Sequence, residues 1–196
     1  MSTNIRGNKT RSEILDAAWD LISSQGADVS VSEIASTVGI SRQTVYLHFG
    51  TRGGLLMALV RRADERFGIK EQFDAALEKS DPRERLRDTL RAWLNFVPKV
   101  YPVAKDLIRL RDTDTEAAAA WEDRMSDLRD WLLALTHSLY EDGALKGHWT
   151  PQQASRVFWA QTSIQVWGLL KSDCGWPDEE IAKCIEQAML DCLLRD

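Results

Sequence analysis

Apolar residues recur at three- and four-residue intervals along almost the whole chain, the period of an amphipathic helix, and strand-like alternation is almost absent. The first stripe, Ile14, Leu15, Ala18, Leu21 and Ile22, predicts a helix from about Lys9 to Gln25, closed by Gly26. The stretch 30–52 is more finely punctuated. Ser30 with Glu33 three positions on forms a capping box. Ile34, Ala35 and Val38 then supply one face of a helix too short to be stable alone. Gly39 suits the left-handed turn that ends it, Ile40 plugs the turn, and Ser41 caps a further helix whose inward face is Val45 and Phe49. The other face shows Arg42, Gln43, Thr44, Tyr46 and His48, donors and acceptors with no partner inside the motif.

Beyond this motif, Thr51 caps predicted helix 4, which continues through Leu55, Leu56, Leu59 and Val60 to about Ala76. Gly53 and Gly54 in its first turn each cost about 1 kcal/mol relative to alanine. That start is therefore expected to fray, either as a soft joint or as tolerated looseness. Asp81-Pro82 opens predicted helix 5, with Leu86, Leu90, Trp93, Leu94 and Val97 as its stripe. Pro98 and Pro102 are expected to break the chain before a short helix 6, Val103 to Arg111. A turn at 112–115 leads to helix 7, from about Glu116 to Tyr140. Thr150-Pro151 begins helix 8, and Gly175 with Pro177 separates it from helix 9, which carries Ile181, Ile185, Met189 and Leu193. The pattern predicts an all-α chain of about nine helices: three in an N-terminal head, helix 4 as a link, and five behind.

Two short helices at a sharp turn are either a plain helical hairpin with a polar outside or a helix-turn-helix, which sets the N-terminal end of its second helix against base edges in the DNA major groove. The net charge of −5 argues against nucleic acid until its distribution is considered. Residues 1–62 hold seven Lys/Arg against five Asp/Glu, and residues 63–196 hold 18 against 25. Arg6, Lys9 and Arg11 precede any acid, an arm able to follow a groove or touch phosphates. No apolar run is long enough for a membrane span, and the first residues lack the apolar stretch of a secretory signal. Cys174, Cys184 and Cys192 are odd in number, so core thiols in a reducing, cytoplasmic setting are expected. His48, His137 and His148 are scattered, and neither a metal site nor a cofactor is expected.

From about Arg11 to Leu56 the chain resembles the TetR family of bacterial transcriptional regulators. The match runs through Ile14, Leu15, Ala17, Ala18 and Leu21, then Gly26, Ile34-Ala35 and Val38-Gly39-Ile40-Ser41, and on to Thr44-Val45-Tyr46 and His48-Phe49. The resemblance implies a helix-turn-helix DNA-binding domain over 1–52 and a C-terminal helical ligand-binding and dimerisation domain over 53–196. It implies a homodimer on a palindromic operator of double-stranded DNA, acting as a repressor released by a small effector. In the family pattern Arg42, Gln43 and Thr44 lead the recognition helix, where Arg suits guanine and Gln suits adenine. Tyr46, His48 and Arg52 match positions that hold phosphates, and Ser30, Ser32, Ser41 and Thr51 complete the expected DNA contacts.

Predicted helix 8 is apolar nearly all round and must be covered on several sides. Phe158, Ile164 and Trp167, with Ile181, Ile185 and Met189 of helix 9, are the dimerisation candidates; the alternative is burial inside one subunit. Seven of the eight tryptophans lie at or beyond Trp93, enough to line an apolar, aromatic cavity. Trp93, Phe96, Trp121 and Met125, with Trp159, Thr162 and Ser163, are the ligand candidates for a small hydrophobic or aromatic effector; the alternative is that they simply fill a core. Two other functions compete: a DNA-binding regulator without a ligand, and an all-helical enzyme. The enzyme would need a nucleophile, paired carboxylates or a metal cluster in the apolar half, and the sequence offers none.

Overall fold

The computed structural model describes residues 2–25 and 29–195. Helix α1 (Ser2–Gln25) starts earlier than its apolar stripe, so the backbone of the basic arm belongs to the helix. The side chains of Arg6 and Lys9, and Gly26 as the closing residue, lie outside the described residues. Helices α2 (Val31–Val38) and α3 (Arg42–Phe49) follow, with α4 (Arg52–Phe67) behind them.

Three elements differ from their sequence patterns. Predicted helix 4 is divided at Gly68, whose φ of 57° turns the chain left-handed before α5 (Ile69–Leu77). Pro98 and Pro102 do not break the chain: α6 runs unbroken from Pro82 to Leu110. Each proline removes one amide donor, but its fixed φ is helical, and Trp93, Leu94, Val97, Val100, Val103 and Leu107 are buried along the same face. After α7 (Thr115–Glu141), predicted helix 8 is broken at Thr162–Ser163 into α8 (Pro151–Gln161) and α9 (Ile164–Gly168), because the Ser163 hydroxyl caps a new start by accepting from the Val166 amide. A π turn, Leu169–Asp173, leads to α10 (Asp178–Leu193). Among the described residues the only β pairing is a single bridge, Leu145 with Leu194.

Two compact units emerge. One comprises residues up to Ala63 together with Pro102–Glu122; the other comprises Asp64–Tyr101 and Asp123–Asp196. This division departs from the expected boundary at 52/53. The beginning of α4, the end of α6 and the beginning of α7 all belong with the head, for reasons visible in their side chains. Gly53 is buried, and a Cβ there would lie 2.4 Å from the Ala117 Cβ. A Cβ on Gly54 would lie 2.1 Å from the Phe49 carbonyl oxygen. The two glycines are therefore a close approach between backbones, not looseness. No described helix is long and apolar enough to cross a membrane.

Candidate nucleic-acid interface

The head is built on a small core. Ile14, Leu15, Ala18 and Ile22 of α1 are buried, with Val31, Ile34 and Ala35 of α2 and Val45 and Phe49 of α3; Leu21 and Ile40 are half-buried. The turn between α2 and α3 is fixed by hydrogen bonds. Ser30 accepts from the Glu33 amide at 3.2 Å while its own amide donates to the Glu33 carboxylate at 2.7 Å. These bonds, the Ser30 amide first and its hydroxyl second, hold the Glu33 carboxyl below its ordinary pKa. At the other end Gly39 has φ 76°, and the amides of Gly39 and Ile40 close back onto Ser36 and Ala35. Ser41 then caps α3 by accepting from the Thr44 amide at 3.1 Å.

With Val45 and Phe49 committed inward, the outward face of α3 is settled. Arg42 and Gln43 are exposed, and Thr44, Tyr46 and His48 are half-exposed. Arg42 does not point freely into solvent: its guanidinium donates to the Tyr46 hydroxyl at 3.2 Å and lies over that ring, 5.3 Å from its centroid. The hydroxyl accepts from Arg42, so its own proton is not used in that bond. The Thr44 hydroxyl pairs with Ser41 at 2.9 Å. Ser30 and Ser32 are exposed at the start of α2. Arg11 stands over the outer side of Phe49, 5.0 Å from the ring centroid.

Two of the expected DNA contacts have other partners. Thr51 accepts from the Gly54 amide at 3.1 Å, as a cap should. Arg52 is drawn into the protein: it donates to the Val29 carbonyl at 2.6 Å and through two nitrogens to Asp106, at 2.8 and 3.2 Å. Asp106 is fully buried and also accepts from Arg109 at 2.6 Å. The guanidinium expected on a phosphate thus clamps α4 to α6. Asp106 was the missed residue, and a signal for it existed: an acid amid Val103, Ala104 and Leu107 lies on a buried face and demands a cation. Sequence reasoning also passed over Leu47, which is 80% exposed on α3.

The second unit holds most of the ligand candidates; Trp121 belongs to the first. Trp93 is 5.9 Å from Phe96 and 6.4 Å from Phe73 between ring centroids, and Phe73 stacks on Trp131 at 4.0 Å. The Trp93 indole donates to the Thr162 carbonyl at 2.7 Å, and the Thr162 hydroxyl donates to the Phe158 carbonyl. Ser163 is the α9 cap, Met125 is buried, and Trp159 is half-buried with Arg129 over its ring. The candidate polar groups are thus already engaged in local structure.

The six dimerisation candidates share one environment. Phe158, Ile164, Trp167, Ile181, Ile185 and Met189 all lie inside the subunit's own core and present almost no surface to a second copy. Among the described residues, the large apolar side chains exposed beside these elements are Leu169 of the π turn and Trp176 of the loop before α10. Cys174 and Cys184 are exposed, which overturns the core-thiol expectation for both; Cys192 is half-buried.

The family model described as bacterial regulatory proteins, tetR family, matches residues 14–59, which run from the start of the α1 stripe to the middle of α4. The HTH-type transcriptional repressor LfrR of Mycolicibacterium smegmatis is 30% identical over 182 residues, covering 90% of this chain and 86% of its own. Among solved structures, a transcriptional regulator of Saccharomonospora viridis in complex with choline superposes with a TM-score of 0.75 at 18% identity, covering 96% of this chain and all of the other. NalD, the secondary repressor of the MexAB-OprM multidrug efflux pump in Pseudomonas aeruginosa, gives 0.68 at 24% identity over 96% and 98%. At these identities the structural likenesses speak for the fold.

Proposed function

Because this chain belongs to the TetR family of bacterial regulatory proteins, DNA-binding transcriptional regulators rather than enzymes, we propose the finer reading that it is a homodimeric repressor of a palindromic operator, released by a small hydrophobic or aromatic effector. The observation that carries the DNA half of this reading is the front of α3. Arg42 and Gln43 stand exposed at the N-terminal end of a helix whose orientation is fixed by buried Val45 and Phe49. Arg42 addresses guanine and Gln43 adenine, while Tyr46, His48, Ser30 and Ser32 hold phosphates. Asp106 holds Arg52, whose role is to seat the start of α4 rather than to touch the operator.

One recognition helix reads too few base pairs, so two copies must present theirs about one DNA turn apart. The dimer face is proposed on the outer sides of α8 and α10 with Leu169 and Trp176. The effector site is proposed among the aromatic residues of the second unit. There the buried Trp167 indole N–H has no hydrogen-bond partner and offers an effector one directed donor. The effector releases DNA by binding more tightly to the state whose recognition helices no longer match the operator spacing.

The test is selection of bound fragments from a random DNA pool at moderate salt. A palindromic consensus is expected, and it should vanish when Arg42, Gln43 and Thr44 are all replaced by alanine. Failure to enrich any sequence overturns the reading. A mass twice that of the chain in light scattering supports the dimer. A thermal shift with an aromatic compound that also releases the DNA supports the effector; release of DNA by no compound favours a regulator without a ligand.

A further inference from the structure

Leu47 is the most exposed large hydrophobic residue among those described, at 80%, and it lies on α3. An exposed leucine on an ordinary surface needs no explanation. This one stands on the face that the head turns outward, three residues after Thr44 and four after Gln43, so the three side chains share one strip of the helix. It adds nothing to the core of the head, which Val45 and Phe49 serve from the opposite side. It has no donor or acceptor, so it cannot hold a phosphate or a polar base edge. The major groove contains one apolar group that such a side chain can cover, the C5-methyl of thymine.

We propose that Leu47 reads a thymine methyl in each operator half-site, on the same side of the groove as the base addressed by Gln43. This rests on the DNA-binding reading above. The two residues are about 6 Å apart along the helix. The base pairs they contact are then about two steps apart at roughly 3.4 Å per step. One part of the recognition is polar, through Arg42 and Gln43, and is lost when hydrogen bonds are mispaired. The other part is apolar and depends on one methyl group.

The experiment uses the selected operator with each thymine replaced in turn by deoxyuridine, which removes the methyl and leaves every hydrogen-bonding group in place. The full-length protein should lose about fourfold in affinity at one position per half-site, the effect of leaving one methyl group uncovered. Leu47→Ala should bind the thymine and deoxyuridine operators equally, with an unchanged melting temperature because the side chain is exposed. Leu47→Met, still apolar and long, should retain the discrimination. The proposal is overturned if no deoxyuridine position weakens binding by the wild-type protein, or if Leu47→Ala still discriminates. If the wild-type protein selects no operator at all, the DNA-binding reading fails first, and that result is distinguishable from either of these.

Discussion

Helix α3 and the α8–α9 segment both carry apolar side chains at helical spacing, but only α3 could be oriented from its sequence. In α3 the seam is two residues wide, Val45 and Phe49, and both are buried, so the rest of the helix must face out. In α8 and α9 apolar residues lie nearly all round, and the spacing leaves open whether a given one packs within the subunit or against a second copy. Phe158, Ile164 and Trp167 all pack within it. The subunit's own core is present at every protein concentration, whereas a partner is bought only by association. A narrow stripe therefore locates a functional surface, and a broad one does not.

The largest expected effect tests this contrast. Phe158→Ala should destabilise the protein by about 3–5 kcal/mol, read by urea unfolding, because it empties a fully buried site. Leu169→Ala, on the same segment but exposed, should shift stability by less than about 0.5 kcal/mol. Equal, small effects for the two would return Phe158 to an intersubunit role.

Next is the clamp between α4 and α6. Arg52→Ala leaves the buried Asp106 carboxylate with Arg109 alone, and a loss of about 3 kcal/mol is expected. If Arg52 instead bound a phosphate, the variant would keep its stability, and the salt dependence of operator binding would fall by about one unit of slope. Measuring both quantities on one variant decides between the two roles.

This pair also marks the limit of what could be read from the sequence. Caps, the Gly39 turn and the outward residues of α3 depend on neighbours three or four positions apart, and each was legible. Arg52 and Asp106 are 54 residues apart, and nothing local joins them. The expected count of about nine helices comes close to the ten α-helices of the described residues, but not because each was placed correctly. One predicted helix divides at Gly68, two merge through Pro98 and Pro102, and one breaks at Ser163. A left-handed glycine, tertiary burial and a single cap, in that order, outweighed the propensities along those stretches.

A smaller effect is expected at Gly53. Alanine there gains about 1 kcal/mol in helix propensity but places its methyl against Ala117, an overpacking cost of about 1–3 kcal/mol. The net change should be destabilising and should be relieved by Ala117→Gly. A stabilised Gly53→Ala would mean that the glycines mark slack after all.

The mildest effect concerns the cap that begins α2. Ser30→Ala should cost about 1 kcal/mol, as should Thr150→Ala at the matching capping box of α8 in the other unit. Only the Ser30 box has a carboxylate partner, so only it should depend on pH. The Glu33 carboxyl is held below its ordinary pKa by the Ser30 amide and hydroxyl. Its contribution is therefore complete above the unfolded carboxyl range and is lost as pH falls through the lowered folded value. Glu33→Gln keeps an acceptor but loses the charge. The stability gap between wild type and this variant should be constant near neutrality and close on acidification below about pH 4, the unfolded range for glutamate. The box of α8, closed by Gln153, should show no such closure when Gln153→Ala is followed over the same range. A gap at Glu33 that persists undiminished into acid would show that the carboxylate's charge plays no part in starting the helix that aims α3.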